Sequence, residues 1–152
     1  MKKTILALAV ILTTGLTSAF ANKGEDVNQR AISSFSKDFL SAKNVSWQQQ
    51  KDYAKATFSL NNQIMYAYYN QEGELLAVIR NVLSDQLPIQ LLTEIKNNYA
   101  NFWISELFEM ATEDQTIYYV TIENGTERIV LKSDDLAQWK IYKKEKKDSI
   151  VL

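Results

Sequence analysis

The chain punctuates itself twice in the same way, and that repetition limits its possible folds more than any composition figure does. Asn61-Asn62 reads as the turn of one hairpin, and Asn124-Gly125, 63 residues further on, reads as its counterpart. Gln71-Glu72-Gly73 marks the next turn, and Ser133-Asp134-Asp135 falls at a similar spacing. An amphipathic stretch precedes each set, residues 27–42 in the first and 88–99 in the second. The pattern predicts an α+β fold of two tandem helix-plus-four-stranded antiparallel sheet units, ordered α-β4-α-β4, with the helices on one face of the sheet. The repeats are expected over residues 26–82 and 87–147.

In the first stretch Val27, Ala31, Phe35, Phe39 and Ala42 recur at helical spacing, Ile32 widens the stripe, and Asp26 is placed to cap it. The second begins at Pro88, the only proline, and carries Ile89, Leu92, Ile95 and Tyr99 as its apolar stripe. Trp47 and Trp103 each follow a helix and are expected to seal the helix–sheet junctions. Residues 53–60 alternate, with Ala54, Ala56, Phe58 and Leu60 on one side. A two-residue turn at Asn61-Asn62 then sets Phe58 opposite Met65, Ala56 opposite Ala67 and Ala54 opposite Tyr69. A bulged turn at Gly73 sets Tyr69 opposite Leu75 and Ala67 opposite Ala77. In the second unit Tyr118, Val120 and Ile122 are expected to face the core with Ile129, Leu131, Trp139 and Ile141.

The same register assembles a second, tyrosine-rich face. Tyr66 and Tyr68 fall beside Leu76 and Val78, with Tyr53 and Ile64 at the margins, and Tyr119, Val130 and Tyr142 follow in the second unit. Tyr53, Tyr66, Tyr68, Leu76, Val78 and Tyr119 are therefore the candidate partner-binding residues. Three readings of this face stand open. Cross-strand aromatic pairs stabilise a half-exposed sheet; tyrosines offer stiff contact area with a polar tip, which suits a protein partner; or the face is buried in a homodimer.

Residues 1–21 read as a secretory signal peptide: Met1-Lys2-Lys3 is a basic start, residues 5–12 are a short apolar run, and Ala19-Phe20-Ala21 fits the cleavage site. Residues 22–152 would then form the mature protein, soluble in the periplasm or secreted, without membrane insertion. Loss of Lys2 and Lys3 leaves 15 basic residues against 18 acidic ones, a net charge near −3. That balance gives no electrostatic footprint for nucleic acid. Hydrophobic residues at 46% suffice for a core without disulfides, which a chain lacking cysteine must manage.

Catalysis is poorly supplied. With no histidine and no cysteine, neither Ser-His-Asp nor Cys-His systems can be assembled, and nitrogen or sulfur zinc sites are excluded. The pairs Glu106/Glu109 and Asp134/Asp135 are the remaining carboxylate candidates, and both read as solvated surface acids. Asn70-Gln71-Glu72-Gly73-Glu74 lacks the acidic start and distant Glu of a calcium loop. No cofactor is called for. The run Lys143-Lys144-Glu145-Lys146-Lys147 reads as charge guarding a terminal strand rather than as a membrane-binding patch.

Asn44-Val45-Ser46-Trp47, Ala56-Thr57-Phe58, Tyr68-Tyr69-Asn70-Gln71-Glu72-Gly73-Glu74-Leu75, and Leu87-Pro88 opening a helix together resemble the PepSY-like, β-lactamase-inhibitor-protein-like secreted proteins of bacteria. The resemblance covers residues 28–145 and implies a helix-and-antiparallel-sheet module in two copies, for which a shared continuous curved sheet is one possible arrangement. Inhibitors of that shape hold an enzyme on an aromatic-rich concave sheet face, and PepSY domains are proposed to restrain proteases. Asp135 or Leu136 stands where the second copy should carry its turn glycine, a departure from the pattern. The expected function is a non-catalytic binding module whose unidentified protein partner is an envelope or secreted enzyme. The alternatives are a structural homodimeric envelope protein and, on carboxylates alone, an enzyme.

Overall fold

A computed structural model of the chain describes residues 27–147. Residues 1–21, expected to be a signal peptide, and Asp26, expected to cap the first helix, lie outside the described residues. Helix α1 (Gln29–Asp38) leads into strands β1 (Lys43–Gln49), β2 (Ala54–Leu60), β3 (Gln63–Tyr69) and β4 (Leu75–Asn81). A short 3-10 turn (Ser84–Gln86) and helix α2 (Ile89–Asn98) follow, then β5 (Trp103–Ala111), β6 (Thr116–Glu123), β7 (Glu127–Ser133) and β8 (Lys140–Lys146). All eight strands form one antiparallel sheet in chain order.

The expectation of two tandem helix-plus-four-strand units is thereby overturned. β4 and β5 pair directly, through Val78 with Ala111, Ile79 with Met110, Arg80 with Glu109 and Asn81 with Phe108. Two separate sheets would leave both strands with unpaired edge groups in the middle of the molecule, and a buried backbone group without a partner is costly. The duplication survives in element order only, within one sheet carrying two ten-residue helices.

α1 begins at Asn28, whose side chain accepts from the Arg30 N–H and donates to the Gln71 carbonyl at 2.7 Å. That contact ties the helix start to the β3–β4 turn. Ala31 and Phe35 are buried on Ala54, Ala56 and Ala67, whose small side chains let the helix approach the sheet. Phe35 sets its ring edge-on against Phe58 at 5.0 Å and Trp47 at 5.4 Å. α2 starts after Pro88 and buries Leu91 and Ile95 against Leu107, Val120, Ile122, Ile129 and Leu131. Leu91 is the core residue that the predicted stripe missed, while Ile89 is 72% exposed. Ile141, expected in this core, is also exposed.

Trp47 seals its junction, but Trp103 points away and lies beneath the Lys147 ammonium at 4.8 Å. Trp139 takes that role instead. Its indole N–H donates to the Leu91 carbonyl at 2.9 Å, and its backbone N–H donates to Glu94.

The turns decide the register. Asn61 and Asn62 both have positive φ, 51° and 64°, as a type I′ hairpin requires, and all three expected β2–β3 pairings are present. The β6–β7 turn is longer than expected: Asn124 uses its side-chain oxygen to accept from the Thr126 and Glu127 N–H groups. Leu136, at φ 60°, occupies the left-handed position that Gly73 fills in the first half.

Gly73 and Gly125 make a controlled comparison. Gly73 has φ 83°, and a Cβ there would lie 2.8 Å from the Arg30 backbone, whereas Gly125 has open space around it. Gly73→Ala should destabilise by upwards of about 1–2 kcal/mol, since a left-handed conformation is penalised before the clash is counted. Gly125→Ala should leave the denaturant midpoint nearly unchanged. Equal midpoints for the two variants would contradict the docking of α1 on the β3–β4 turn.

Candidate functional site

Both helices lie over one face of the sheet, and a third apolar cluster forms on the other without any helix residue. Strand pairing builds it in rows. One row runs Ser46, Thr57, Tyr66, Ile79, Met110 and Ile117 across β1 to β6. A second runs Gln48, Lys55, Tyr68 and Ala77, and a third Asn81, Phe108, Tyr119 and Lys132. The first and third rows cross the β4–β5 pairing, so aromatic residues from both halves share one surface.

Four of the six candidates gather here. Tyr53, Tyr66, Tyr68 and Tyr119 belong to the cluster, Tyr68 and Tyr119 in its buried middle and Tyr53 and Tyr66 half-buried at its margin. Leu76 and Val78 do not join them. A bulge between Tyr68 and Tyr69 shifts the register so that Tyr68 faces Ala77 and Ala67 faces Val78, not Ala77 as expected. Val78 thus turns to the helix side, Leu76 stands at the bulge, and Ala77 and Ile79 take their places. The turn glycine signalled a bulge; its position within the strand carried no signal. Phe108, Met110 and Ile117 were missed because they reach this face only through the β4–β5 pairing, which links strands from different repeats.

Ring contacts fill the surface. Tyr53 lies 5.6 Å from Tyr68, Phe108 stacks on Tyr119 at 5.0 Å, and Tyr142 meets Tyr119 edge-on at 5.7 Å. Lys55 extends over this group, its ammonium 4.6 Å from the Tyr66 ring centre and 5.9 Å from that of Tyr68. On the opposite flank the cations are paired: Lys132 with Asp134 at 3.1 Å, and Arg128 with Glu106 at 3.2 Å.

The carboxylate pairs do not assemble a catalytic centre. Glu106 and Glu109 belong to opposite faces, the first held by Arg128 and the Thr121 hydroxyl, the second by Arg80 and the Tyr118 hydroxyl. Burial pushes the Glu109 carboxyl up, yet the hydrogen bonds from Arg80 and Tyr118 bring it below the usual range. Asp135 caps the N–H groups of Ala137 and Gln138, which lowers it to about 2. Its neighbour Asp134 bridges Lys132 and Lys140. Among the described residues no group of three or more metal-ligating side chains is present, and no helix is long and apolar enough to cross a membrane. A shallow cleft of about 430 Å³ beside α2 carries Glu94 as its one ionisable group, already bonded to Trp139.

Three of the four lysines of the terminal run are ion-paired, on β8, the last strand of the sheet, or just after it. Lys144 meets Glu127 and Lys147 meets Glu123, each at 2.7 Å, and Lys143 pairs with Glu145.

The buried phenols give this face a signature at high pH. Burial, reinforced by neighbouring tyrosines, pushes Tyr68 up to about 12; burial, with Tyr142 and Asp134 nearby, does the same for Tyr119. The folded state therefore holds these two protons more tightly than the unfolded chain, whose phenols ionise near about 10. Their stabilisation is complete below that value and is lost as pH rises from about 10 toward 12. Ultraviolet difference titration should show Tyr68 and Tyr119 ionising late, alongside Tyr69 on the helix side, which burial and its hydrogen bond to Asp38 also push up, together with falling stability across that window. Eight tyrosines titrating together near 10 in a folded protein would contradict the burial of this face.

No protein-family model matches the chain, and no curated protein does. Solved structures match the fold. A DUF2874 family protein from Bacteroides ovatus superposes with a TM-score of 0.70 at 19% identity, covering 81% of this chain and 89% of its own. A protein provisionally assigned to the periplasm, from Bacteroides eggerthii, gives 0.69 at 12% identity over 82% and 90%. A BLIP-like protein from Bacteroides fragilis gives 0.68 at 16% identity over 84% and 94%. At such identities the likeness is one of fold.

Proposed function

We propose that this chain is a non-catalytic binding module of the periplasm or extracellular space, and that a protein partner docks on its helix-free tyrosine face. The observation that carries this reading is the face itself. Tyr53, Tyr66, Phe108 and Val130 stand half-buried around a solid centre of Tyr68, Ile79, Met110 and Tyr119, and no helix residue joins them. The buried centre holds the marginal rings in fixed positions, which lowers the ordering cost of binding. The leader-like residues 1–21 support export, and the name of the eggerthii protein points the same way. Restraint of an enzyme is the finer reading, and the BLIP-like name of the fragilis protein supports it. A sequence without histidine or cysteine agrees with a role in holding rather than transforming.

The mature protein should capture a saturable partner from envelope or culture-fluid extract, which is then purified and titrated. Tyr66→Ala should weaken that complex by about 2 kcal/mol or more, roughly thirtyfold, as truncated interface anchors do. Tyr66 is the residue of choice because it is half-buried, so the variant should keep its thermal midpoint. Undiminished binding by both Tyr53→Ala and Tyr66→Ala would place the docking surface elsewhere. A protein that sediments as a dimer by itself, and becomes monomeric on Tyr66→Lys, would show that the face is occupied by a second copy.

A further inference from the structure

Lys55 differs from the cations across the sheet from it. On the far flank of the same face Lys132, Arg128 and Lys143 each have an acidic partner, at 3.1 Å for Lys132 and 3.2 Å for Arg128. Lys55 has none: among the described residues no carboxylate forms a salt bridge with its ammonium and no acceptor hydrogen-bonds to it. It is half-buried between Gln48 and Tyr68 in its row, with its Nζ above the Tyr66 ring. Burial lowers its pKa, the mark of a charge that has lost water without gaining an anion.

Two aromatic rings do not replace what the ammonium gave up. A cation over a ring gains about 0.5–2 kcal/mol but satisfies none of the three N–H donors directionally. A lysine with its own carboxylate would be a finished surface ion pair, worth little. A lysine held rigid over tyrosines without one retains its donors for a ligand that brings the acceptor. A carboxylate arriving on a protein loop would displace the remaining water and meet the ammonium where apolar rings exclude solvent, which makes a charge-assisted hydrogen bond shorter and stronger.

We infer that Lys55 is the charge-reading position of the docking face, and that the partner is a protein segment presenting an Asp or Glu side chain to Lys55 with an aromatic or aliphatic neighbour against Tyr66 and Tyr53. This deepens the proposed function and rests on it. The far flank, with its cations already neutralised by Asp134, Glu106 and Glu145, offers no comparable charge, so the acidic residue should bind at the β2–β3 end.

The test is selection of a random twelve-residue peptide display library on the mature protein, run in parallel on Lys55→Met and Tyr66→Ala. Methionine keeps the length and apolar stem of Lys55 and removes only the charge, and unchanged thermal midpoints establish that both variants are folded. The wild type should enrich peptides with an acidic residue next to an aromatic or aliphatic one. The strongest of these, made synthetically, should bind Lys55→Met roughly ten- to a hundredfold more weakly. It should bind Lys55→Met no more tightly than does its own Asp→Asn or Glu→Gln version. Enriched peptides without acidic residues, bound equally by Lys55→Met yet lost with Tyr66→Ala, would overturn the role of Lys55 and leave the docking face standing. Enrichment indifferent to both substitutions, or none at all, would overturn both.

Discussion

Four paired positions between β4 and β5 hold this molecule together as one body. Each half has its own helix and its own core, so each could bury its apolar stripe without the other. What neither half can do alone is satisfy the backbone groups along β4 and β5, and their pairing solves that for both at once. Side chains reinforce the joint on each face. Ile79 and Met110 are buried on one side. On the other, Arg80 grips Glu109 through two hydrogen bonds, at 2.9 and 3.1 Å, and Tyr118 donates to the same carboxylate. This bidentate pair lies on the helix side of the joint, between Met65, which packs against the first core, and Tyr118 of the second.

Joining the halves makes the tyrosine face continuous. Tyr53, Tyr66 and Tyr68 come from the first half and Phe108, Tyr119 and Val130 from the second, and they form one cluster only because Ile79 and Met110 bridge them. The charges then divide along the same axis: an unpaired lysine over rings at one end, neutralised cations at the other. Function as proposed is therefore a property of the joined sheet.

Much of the local structure was legible in the residues. The β2–β3 register followed from Asn61-Asn62 and strict alternation, because two asparagines tolerate the left-handed conformations that a type I′ turn needs. The helix stripes were found, apart from Leu91 and Ile89, which the choice of phase exchanged. Three things were not legible. The bulge between Tyr68 and Tyr69 leaves no mark on composition, yet one residue of slip exchanged the faces of Val78 and Ile79. The β4–β5 pairing links strands separated by α2, and no turn residue announces it. Trp103 misses its expected sealing role because it falls at an exposed strand end, while Trp139, buried in the core as expected, takes that role as well from a loop folded under α2.

Native-state hydrogen exchange over increasing denaturant tests the unity of the sheet most directly. Slowly exchanging amides of Ala56 and Ala67 in the first half should converge with those of Val120 and Leu131 in the second on a single global opening. Truncating Met110 to Ala should lower that opening equally in both halves. A separate, lower-energy opening confined to residues 43–69 and unaffected by that truncation would show that the two halves are independent, and that the continuous tyrosine face does not persist in solution.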